Sequence, residues 1–451
     1  MQELPNGPPL QAAGQHGPRL GWLSGMGMVV ANTIGAGVFL STGFMAQELT
    51  PGWILMAWGI GMVQALVGAM TYATVAQYVP RSGGEYRYLS TLLHPAVGYL
   101  AGWASLLVGF SAPLAVQGLA VGAFAQTLWT GASPLWVAVS TIVALTLVHA
   151  FDLRLSVWTQ NVLVWFKILL VLAFVAMGLA LGRHAWPGWQ PSAPVSGRAL
   201  LASLSGSLFY IAFAFSGWNA AAYAAEEFEN PAQNVPRSMW AGCLLVGVIY
   251  LLVNWIFVAN LTPERAAVVF KYESARVTLG HLVSQDLIGQ VGARLMSVLI
   301  LIALVSAMSA ISFLGPRVYA AMAKDGFLPS FLAEHQGKPP VGSVLLQGGL
   351  ALTLVASYSL QQVLQNIGAI LTLFSSLVAV GLIRLYFRSD RAARPSWLRL
   401  ACAVLYLISA AGMLGFGFRD SKSLLWWLAA AGGAAWLAYA LTERLKCRRA
   451  V

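Results

Sequence analysis

The sequence predicts an all-α integral membrane protein of twelve transmembrane helices, built as a five-plus-five inverted repeat with helices 1 and 6 broken. Three observations predict it. The first is composition: 58% of the 451 residues are hydrophobic and only 9% are charged, with a mean hydropathy of +0.72. A soluble domain carries about 25% charged residues, so this chain cannot cover a water-facing surface. The second is a series of apolar runs, each close to the roughly 20 residues that cross a bilayer. They fall at 20–48, 52–79, 96–128, 133–150, 157–181, 200–226, 239–261, 288–320, 341–358, 361–387, 399–418 and 422–441. The third is a pair of interruptions, TIGAG (33–37) in the first run and FAFSGWN (213–219) in the sixth.

The start of the chain, 1–19, is rich in Pro and Gly and lacks a basic segment before an apolar one. It reads as a disordered cytoplasmic tail and not as a signal peptide. The first five runs, 20–181, form one unit and the next five, 200–387, a second. An odd number of spans per unit brings the second unit into the membrane from the opposite side, which is an inverted repeat. Interrupted helices at corresponding places in two such halves mark a binding site. The last two runs, 399–441, fall outside the repeat, and 442–451 is a basic tail. Arg384, Arg388, Arg391, Arg394 and Arg399 cluster from the end of run ten to the start of run eleven, and Arg444, Lys446, Arg448 and Arg449 follow the last. Basic residues collect on cytoplasmic segments, so both termini are expected in the cytoplasm. The net charge of +11 then reflects topology, and no nucleic-acid partner is expected.

Unwinding a helix in hydrocarbon frees backbone groups that each cost several kcal/mol unless protein or a polar cavity receives them. A zwitterion satisfies both kinds of group. Amides of Gly35, Ala36 and Gly37 would face a carboxylate at the positive end of the second half-helix. Carbonyls near Thr33 and Ile34 would face an ammonium. The same small residues would also serve as a packing face for a neighbouring helix. In the second break, Gly217 lies between Ser216 and Trp218, with Asn219 following. Carbonyls of Phe215 and Ser216 could complete the ammonium site, and the rings of Phe215 and Trp218 could close over a side chain; a core or lipid-facing role is the plainer account of the rings.

Lys167 is the one lysine or arginine in the middle of a run, the others that fall within runs lying close to run ends. About ten residues from the run's end, it is roughly 15 Å deep, too deep for easy snorkelling. It must face protein, with carbonyls of the broken first helix and Ser309 or Ser312 as candidate partners. There it would be a fixed charge, a proton carrier, or a structural lysine. Glu226 follows the second break and suits a gate or a cap, with Glu227 and Glu229 solvated or tied to loop backbone. His149 suits a satisfied polar side chain. Cys243, Cys402 and Cys447 are far apart and set up neither a disulfide nor a metal framework. No HExxH, phosphate-binding loop or nucleophile elbow occurs, so no enzyme chemistry, cofactor or metal is expected.

With these residues in view, the chain resembles the amino acid–polyamine–organocation superfamily of transporters. Four stretches carry the resemblance: NTIGAGVF (32–39), YATVAQYVPRSGGEYRYL (72–89), FSGWN with EEFENPAQNVPRS, and GPRVYAAMAKDGFLP (315–329). The resemblance implies the superfamily's five-plus-five fold and an α-amino acid held at the two breaks. It leans toward the L-type amino acid transporter-like branch, which includes bacterial exchangers. A lysine in the position of Lys167 stands where sodium binds in sodium-coupled relatives, which implies sodium independence. Ala36 replaces a common serine, and Thr74 a common glutamate. The loop 129–134 has no cysteine, so no disulfide-linked heavy-chain partner is expected. The expectation is therefore a sodium-independent exchanger of neutral L-amino acids in a bacterial cell (inner) membrane, exchange being favoured over proton symport. No acid or arginine near either break in the sequence would pair a charged side chain. The alternatives are a polyamine or other small-metabolite permease and a non-transporting amino acid sensor.

Overall fold

The structure, a computed structural model, describes residues 20–151, 153–183, 185–191, 194–333, 340–356, 360–390 and 394–420, and in the last run 433, 436–437, 439–440 and 442. These residues are almost entirely helical. The one strand-like contact among them is a parallel bridge between Leu20 and Phe228.

The first run is broken as expected. Helix α1 (Trp22–Thr33) and helix α2 (Ala36–Met45) meet at 40°. The second run is α3 (Pro51–Tyr78), which Pro51 opens at its first turn. A short helix, α4 (Gly84–Leu92), follows. The third run is less regular than its composition suggests: α5 (Pro95–Ala104) passes through a π-helical stretch, Ser105–Ser111, into α6 (Ala112–Leu128). Runs four and five are α7 (Pro134–Phe151) and α8 (Leu153–Leu181). The sixth run is α9 (Gly197–Ala214), a turn, and the four-residue α10 (Ala220–Tyr223). Then come α11 (Pro231–Asn260), two short helices α12 (Pro263–Lys271) and α13 (Glu273–Val277), and α14 (Leu279–Lys324). The backbone of α14 leaves helical geometry at Ile288 and Gly289, so its apolar part starts where the eighth run was expected. The chain continues through α15 (Val341–Val355), α16 (Leu360–Arg388) and α17 (Trp397–Asp420).

Nine helices among the described residues are long and apolar enough to cross a membrane, and the bent pair α1 and α2, taken as one span, is a tenth of that kind. The expected twelve are therefore not all present among them. The ninth run yields only the 15 residues of α15, about 22 Å of helix against a hydrocarbon core of about 30 Å. The run 422–441 and the tails 1–19 and 442–451 lie almost wholly outside the described residues.

Two packing groups position the breaks. In one, α11 lies against α1 and α3, while α9 lies against α2 and α3. In the other, α14 packs on α6, α7 and α8, with α15 against α7, while α16 and α17 pack on each other and against α9 and α3 of the first. The breaks face the seam between the groups.

Candidate substrate-binding site

The two breaks cross backbone to backbone. A methyl group built on Gly217 would run into the carbonyl carbon of Asn32 and the amide of Thr33, and one on Gly37 would run into Ala214. Only glycine permits so close an approach. Thr33 thus lies directly against Gly217, and Gly37 against Ala214. Gly35 precedes α2 without a capping side chain, so the first-turn amides of Ala36 and Gly37 have no intrahelical partner. In the second break the amides of Ser216, Trp218 and Ala220 bond to the carbonyls of Phe213, Phe215 and Gly217 at 3.0–3.1 Å. The Phe215 carbonyl is therefore partly engaged within its own turn, while no such bond involves the Ser216 carbonyl.

Lys167 is fully buried on α8. Its ammonium donates to the Ala31 carbonyl at 2.5 Å and to the Ile34 carbonyl at 2.8 Å. In a continuous helix those carbonyls would accept from the amides of Gly35 and Val38; the break frees them and the lysine takes them. Neither expected serine partner bonds to it. Ser309 pairs with Nε2 of His149 at 2.9 Å, and Ser312 Oγ has no hydrogen-bond partner among the described residues.

Sequence reasoning missed three residues that the fold brings to this place. Tyr250 Oη, on α11, is 2.7 Å from the Thr33 carbonyl and 3.0 Å from the Ala214 carbonyl. One hydroxyl thus bridges the ends of both first half-helices. Gln117, on α6, puts its Oε1 within 2.9 Å of where a Gly35 side chain would begin, and that oxygen has no partner among the described residues. Both would have needed knowledge of which helices pack together. Tyr250→Phe is expected to lower stability by about 1–3 kcal/mol, the cost of an unmet buried carbonyl, measured by thermal unfolding of the purified protein.

The third is Glu85. The expectation that no acid lies near either break is wrong. Glu85 is 4% exposed, and its carboxylate accepts from Asn219 Nδ2 at 2.6 Å, Tyr223 Oη at 2.5 Å and Tyr72 Oη at 2.9 Å. Two consecutive glycines with positive φ, Gly83 and Gly84, fold the polar hairpin back beneath the break. Phe215 packs on Tyr250 (centroids 5.0 Å apart) and Trp58 (6.4 Å), and Trp218 meets Tyr72 edge-on at 4.7 Å. Trp218, Asn219 and Glu85 line a cavity of about 30 Å³.

Ion pairs tie together the end of the bundle where α3 and α14 finish. Arg87 Nη1 is 2.6 Å from Asp325 Oδ2, Tyr86 donates to the same carboxylate, and Arg317 Nε is 2.8 Å from Glu227 Oε1. Burial, reinforced by Asp325, pushes the Tyr86 hydroxyl well above the usual phenol range, so it stays a donor. Glu226, the expected gate or cap, is exposed; its backbone amide bonds to Ser82 Oγ at 3.1 Å, while its neighbour Glu227 makes the ion pair. Thr74 donates to the Met70 carbonyl at 2.8 Å. At the other end, a larger cavity of about 370 Å³ lies between the end of α2, α9 and the start of α16. It is lined by Glu48, Ser207, Tyr210, Gln361, Gln365 and Asn366. Phe44 stacks on Tyr210 there, with centroids 5.8 Å apart. No cluster of three His, Cys, Asp or Glu residues that could hold a metal occurs among the described residues.

The sequence is similar to those of known proteins. The large neutral amino acids transporter small subunit 2 of Homo sapiens is 27% identical over 416 residues, covering 88% of this chain and 75% of that protein. The Asc-type amino acid transporter 1 of Mus musculus is 25% identical over 418 residues, covering 88% and 76%. The b(0,+)-type amino acid transporter 1 of Oryctolagus cuniculus is 24% identical over 385 residues, covering 83% and 77%. A family profile described as amino acid permease matches residues 20–441. With its apolar helices and paired breaks, the chain is a multi-pass membrane protein that belongs to the amino acid permease family, within the amino acid–polyamine–organocation superfamily.

Proposed function

We propose that this permease is a sodium-independent exchanger of neutral L-amino acids that works by alternating access in the cell (inner) membrane, with both termini cytoplasmic. The observation that carries this reading is the ammonium of Lys167 on the Ala31 and Ile34 carbonyls. A fixed positive charge on the carbonyls of a broken helix leaves no role there for a sodium ion. The substrate carboxylate would meet the amides of Gly35, Ala36 and Gly37, and its ammonium the carbonyl side of both breaks, with Gln117 Oε1 as a further acceptor. Phe215, Ser216, Gly217, Trp218 and Asn219 would form the second wall. Ser309 and Ser312 would supply polar surroundings for the fixed charge.

The reading keeps twelve spans in two inverted units, 20–181 and 200–387, with 399–441 appended. Spans 1, 2, 6 and 7, here α1 to α3 and α9 to α11, pack on one another, which suits a bundle that rocks as a body. The Arg87–Asp325 and Arg317–Glu227 pairs would close the cytoplasmic end while the cavity of about 370 Å³ faces outward. Asp325→Asn removes a pair that is about a quarter exposed. It is expected to favour the inward-open state by under about 1 kcal/mol, roughly fivefold in population. Labelling of a Ser82→Cys reporter by an impermeant thiol reagent in inside-out vesicles would measure it.

Neutral substrates are favoured because Glu85 lies behind Asn219 with its oxygens already engaged by three donors, and because a relative is named for large neutral amino acids. A polyamine has several ammonium groups and needs several carboxylates, whereas Glu85 is the one acid in the cavity at Trp218. No disulfide-linked heavy chain is proposed, since the loop 129–134 lacks cysteine. Counterflow in proteoliposomes tests the function. Uptake of labelled neutral amino acid should require unlabelled amino acid inside and be unchanged when choline replaces sodium. Uptake into empty vesicles driven by an inward proton gradient would overturn exchange, and binding without flux would make the protein a sensor.

A further inference from the structure

Glu85 is a buried carboxylate surrounded only by neutral donors. Tyr72 reaches it from α3, and Asn219 and Tyr223 from the second break. Arginines on its own helix and on α14, α16 and α17 are held elsewhere. Arg87, on the same helix, pairs with Asp325 at 2.6 Å; Arg384 of α16 donates to the Leu93 carbonyl at 2.9 Å; Arg399 of α17 donates to Gln77 at 2.5 Å; and Arg317 of α14 pairs with Glu227 at 2.8 Å. The titratable groups that face Glu85 are phenols: Tyr88 on its own helix, Tyr72 on α3, Tyr223 on α10 and Tyr406 on α17. None supplies positive charge. A buried charge is ordinarily paired, and no ion pair among the described residues includes Glu85.

The second observation is Asn219. It is 5% exposed, its Nδ2 donates to Glu85 and to Tyr223 Oη, and its Oδ1 has no hydrogen-bond partner among the described residues. Both residues line the cavity of about 30 Å³, together with Gln64, Thr372, Ser375 and Tyr406. That is room for one water-sized occupant, and its lining is rich in oxygen acceptors.

We propose that this cavity is a binding site for one small monovalent cation, a proton or an alkali-metal ion, held by Glu85 and Asn219 Oδ1. The chemistry balances in either form. A proton on Glu85 makes an O–H donor; turning the Asn219 amide over brings Oδ1 to where Nδ2 now lies, 2.6 Å from Oε1, to accept it. Tyr72 Oη can then donate to Ser375 Oγ, 3.1 Å away. An alkali-metal ion would instead be met by the carboxylate, Oδ1 and hydroxyl oxygens, the hard ligands such ions take. Either cation removes the net charge that three donors now converge on. Asn219 closes the second break and Glu85 belongs to the hairpin, so occupancy replaces the charged bond between break and hairpin with one made through the cation. Cation binding thereby sets how readily the cytoplasmic side opens, which rests on the reading of the breaks as the transport site.

The test uses the purified full-length protein, with no transport required. Infrared difference spectra across a pH series report a protonated carboxyl group. Melting curves in sodium, potassium or N-methylglucamine chloride at constant ionic strength report metal binding. The expected result is one of two signatures: a titrating carboxyl band or an alkali-metal-dependent rise in melting temperature. Glu85→Gln, which keeps the shape, should abolish it, and Glu85→Asp should keep it with a displaced midpoint. Should Glu85→Gln not fold, Asn219→Asp adds a second carboxylate and should strengthen cation binding at least tenfold. The same band and the same salt response in wild type and Glu85→Gln would overturn the proposal, as would neither signature in wild type. A sodium response would also overturn the sodium independence argued from Lys167, whereas a proton or potassium response would leave it standing. Failure of counterflow for every amino acid would overturn the transport reading and leave the cation result intact.

Discussion

Lys167→Met is expected to lower stability by about 1–3 kcal/mol and to cut exchange at least tenfold. The two hydrogen bonds from the ammonium to the Ala31 and Ile34 carbonyls are charge-assisted, a class worth about 1.5–3 kcal/mol each. Against them stands the cost of holding a lysine at mid-membrane depth, about 2.5–3.5 kcal/mol on insertion scales, which methionine avoids. The terms oppose, and the bonds win by a modest margin. The loss of transport is larger because its origin is geometric. Without the ammonium, two carbonyls in the bundle interior have lost the donor that held them, and the end of α1 must rotate to satisfy them. That moves the amides of Gly35 to Gly37 away from where a carboxylate would sit, and small misplacements in a binding constellation cost large factors in rate. Lys167→Arg should not rescue, because a planar guanidinium cannot occupy the place of a compact ammonium. Thermal unfolding and counterflow with sodium or choline outside are the two measurements. Full exchange at the wild-type rate would remove Lys167 from the mechanism.

What could be read in the sequence divides along a physical line. Features that are local to the chain were legible. TIGAG and FSGWN stand out because glycines inside an apolar run announce a helix that stops, and the chain does leave the helix at Ile34–Gly35 and at Phe215–Asn219. Lys167 stands out because a lone cation in such a run must be received by protein. Features that depend on which helices meet were not legible. Tyr250 reads as one more aromatic in α11 until α1 and α9 are seen to end against it. Glu85 lies in PRSGGEYRYL, a polar stretch with every mark of a solvated hairpin, and only the turn at Gly83 and Gly84 carries it under the break. The choice between Glu226 and Glu227 is of the same kind. They are adjacent in one 3₁₀ turn, and the position of Arg317, far along the chain, decides which carboxylate forms the pair.

Gly217→Ala should have the opposite sign from an ordinary glycine-to-alanine change in a helical protein. In an open helix position alanine gains about 0.8–1.0 kcal/mol over glycine. Gly59 on α3 has nothing within 4 Å of where its side chain would begin, so Gly59→Ala is expected to stabilise slightly and leave exchange unchanged. At Gly217 the added methyl meets the carbonyl carbon of Asn32 and the amide nitrogen of Thr33. These are backbone atoms and cannot swing aside as a side chain could. One broken helix must therefore shift relative to the other, and overpacking of this kind costs about 1–3 kcal/mol. The shift also acts on the contacts that hold the crossing: the Tyr250 hydroxyl between the Thr33 and Ala214 carbonyls, and the Lys167 ammonium on Ala31 and Ile34. Neither can stay in reach of both partners when the breaks move apart. Exchange is therefore expected to be lost while the protein remains folded and membrane-inserted, with a melting temperature below that of both wild type and Gly59→Ala. Counterflow on the two variants side by side separates the effects: equal activity in both would mean that the breaks do not need their close crossing, and that the binding site lies elsewhere in the bundle.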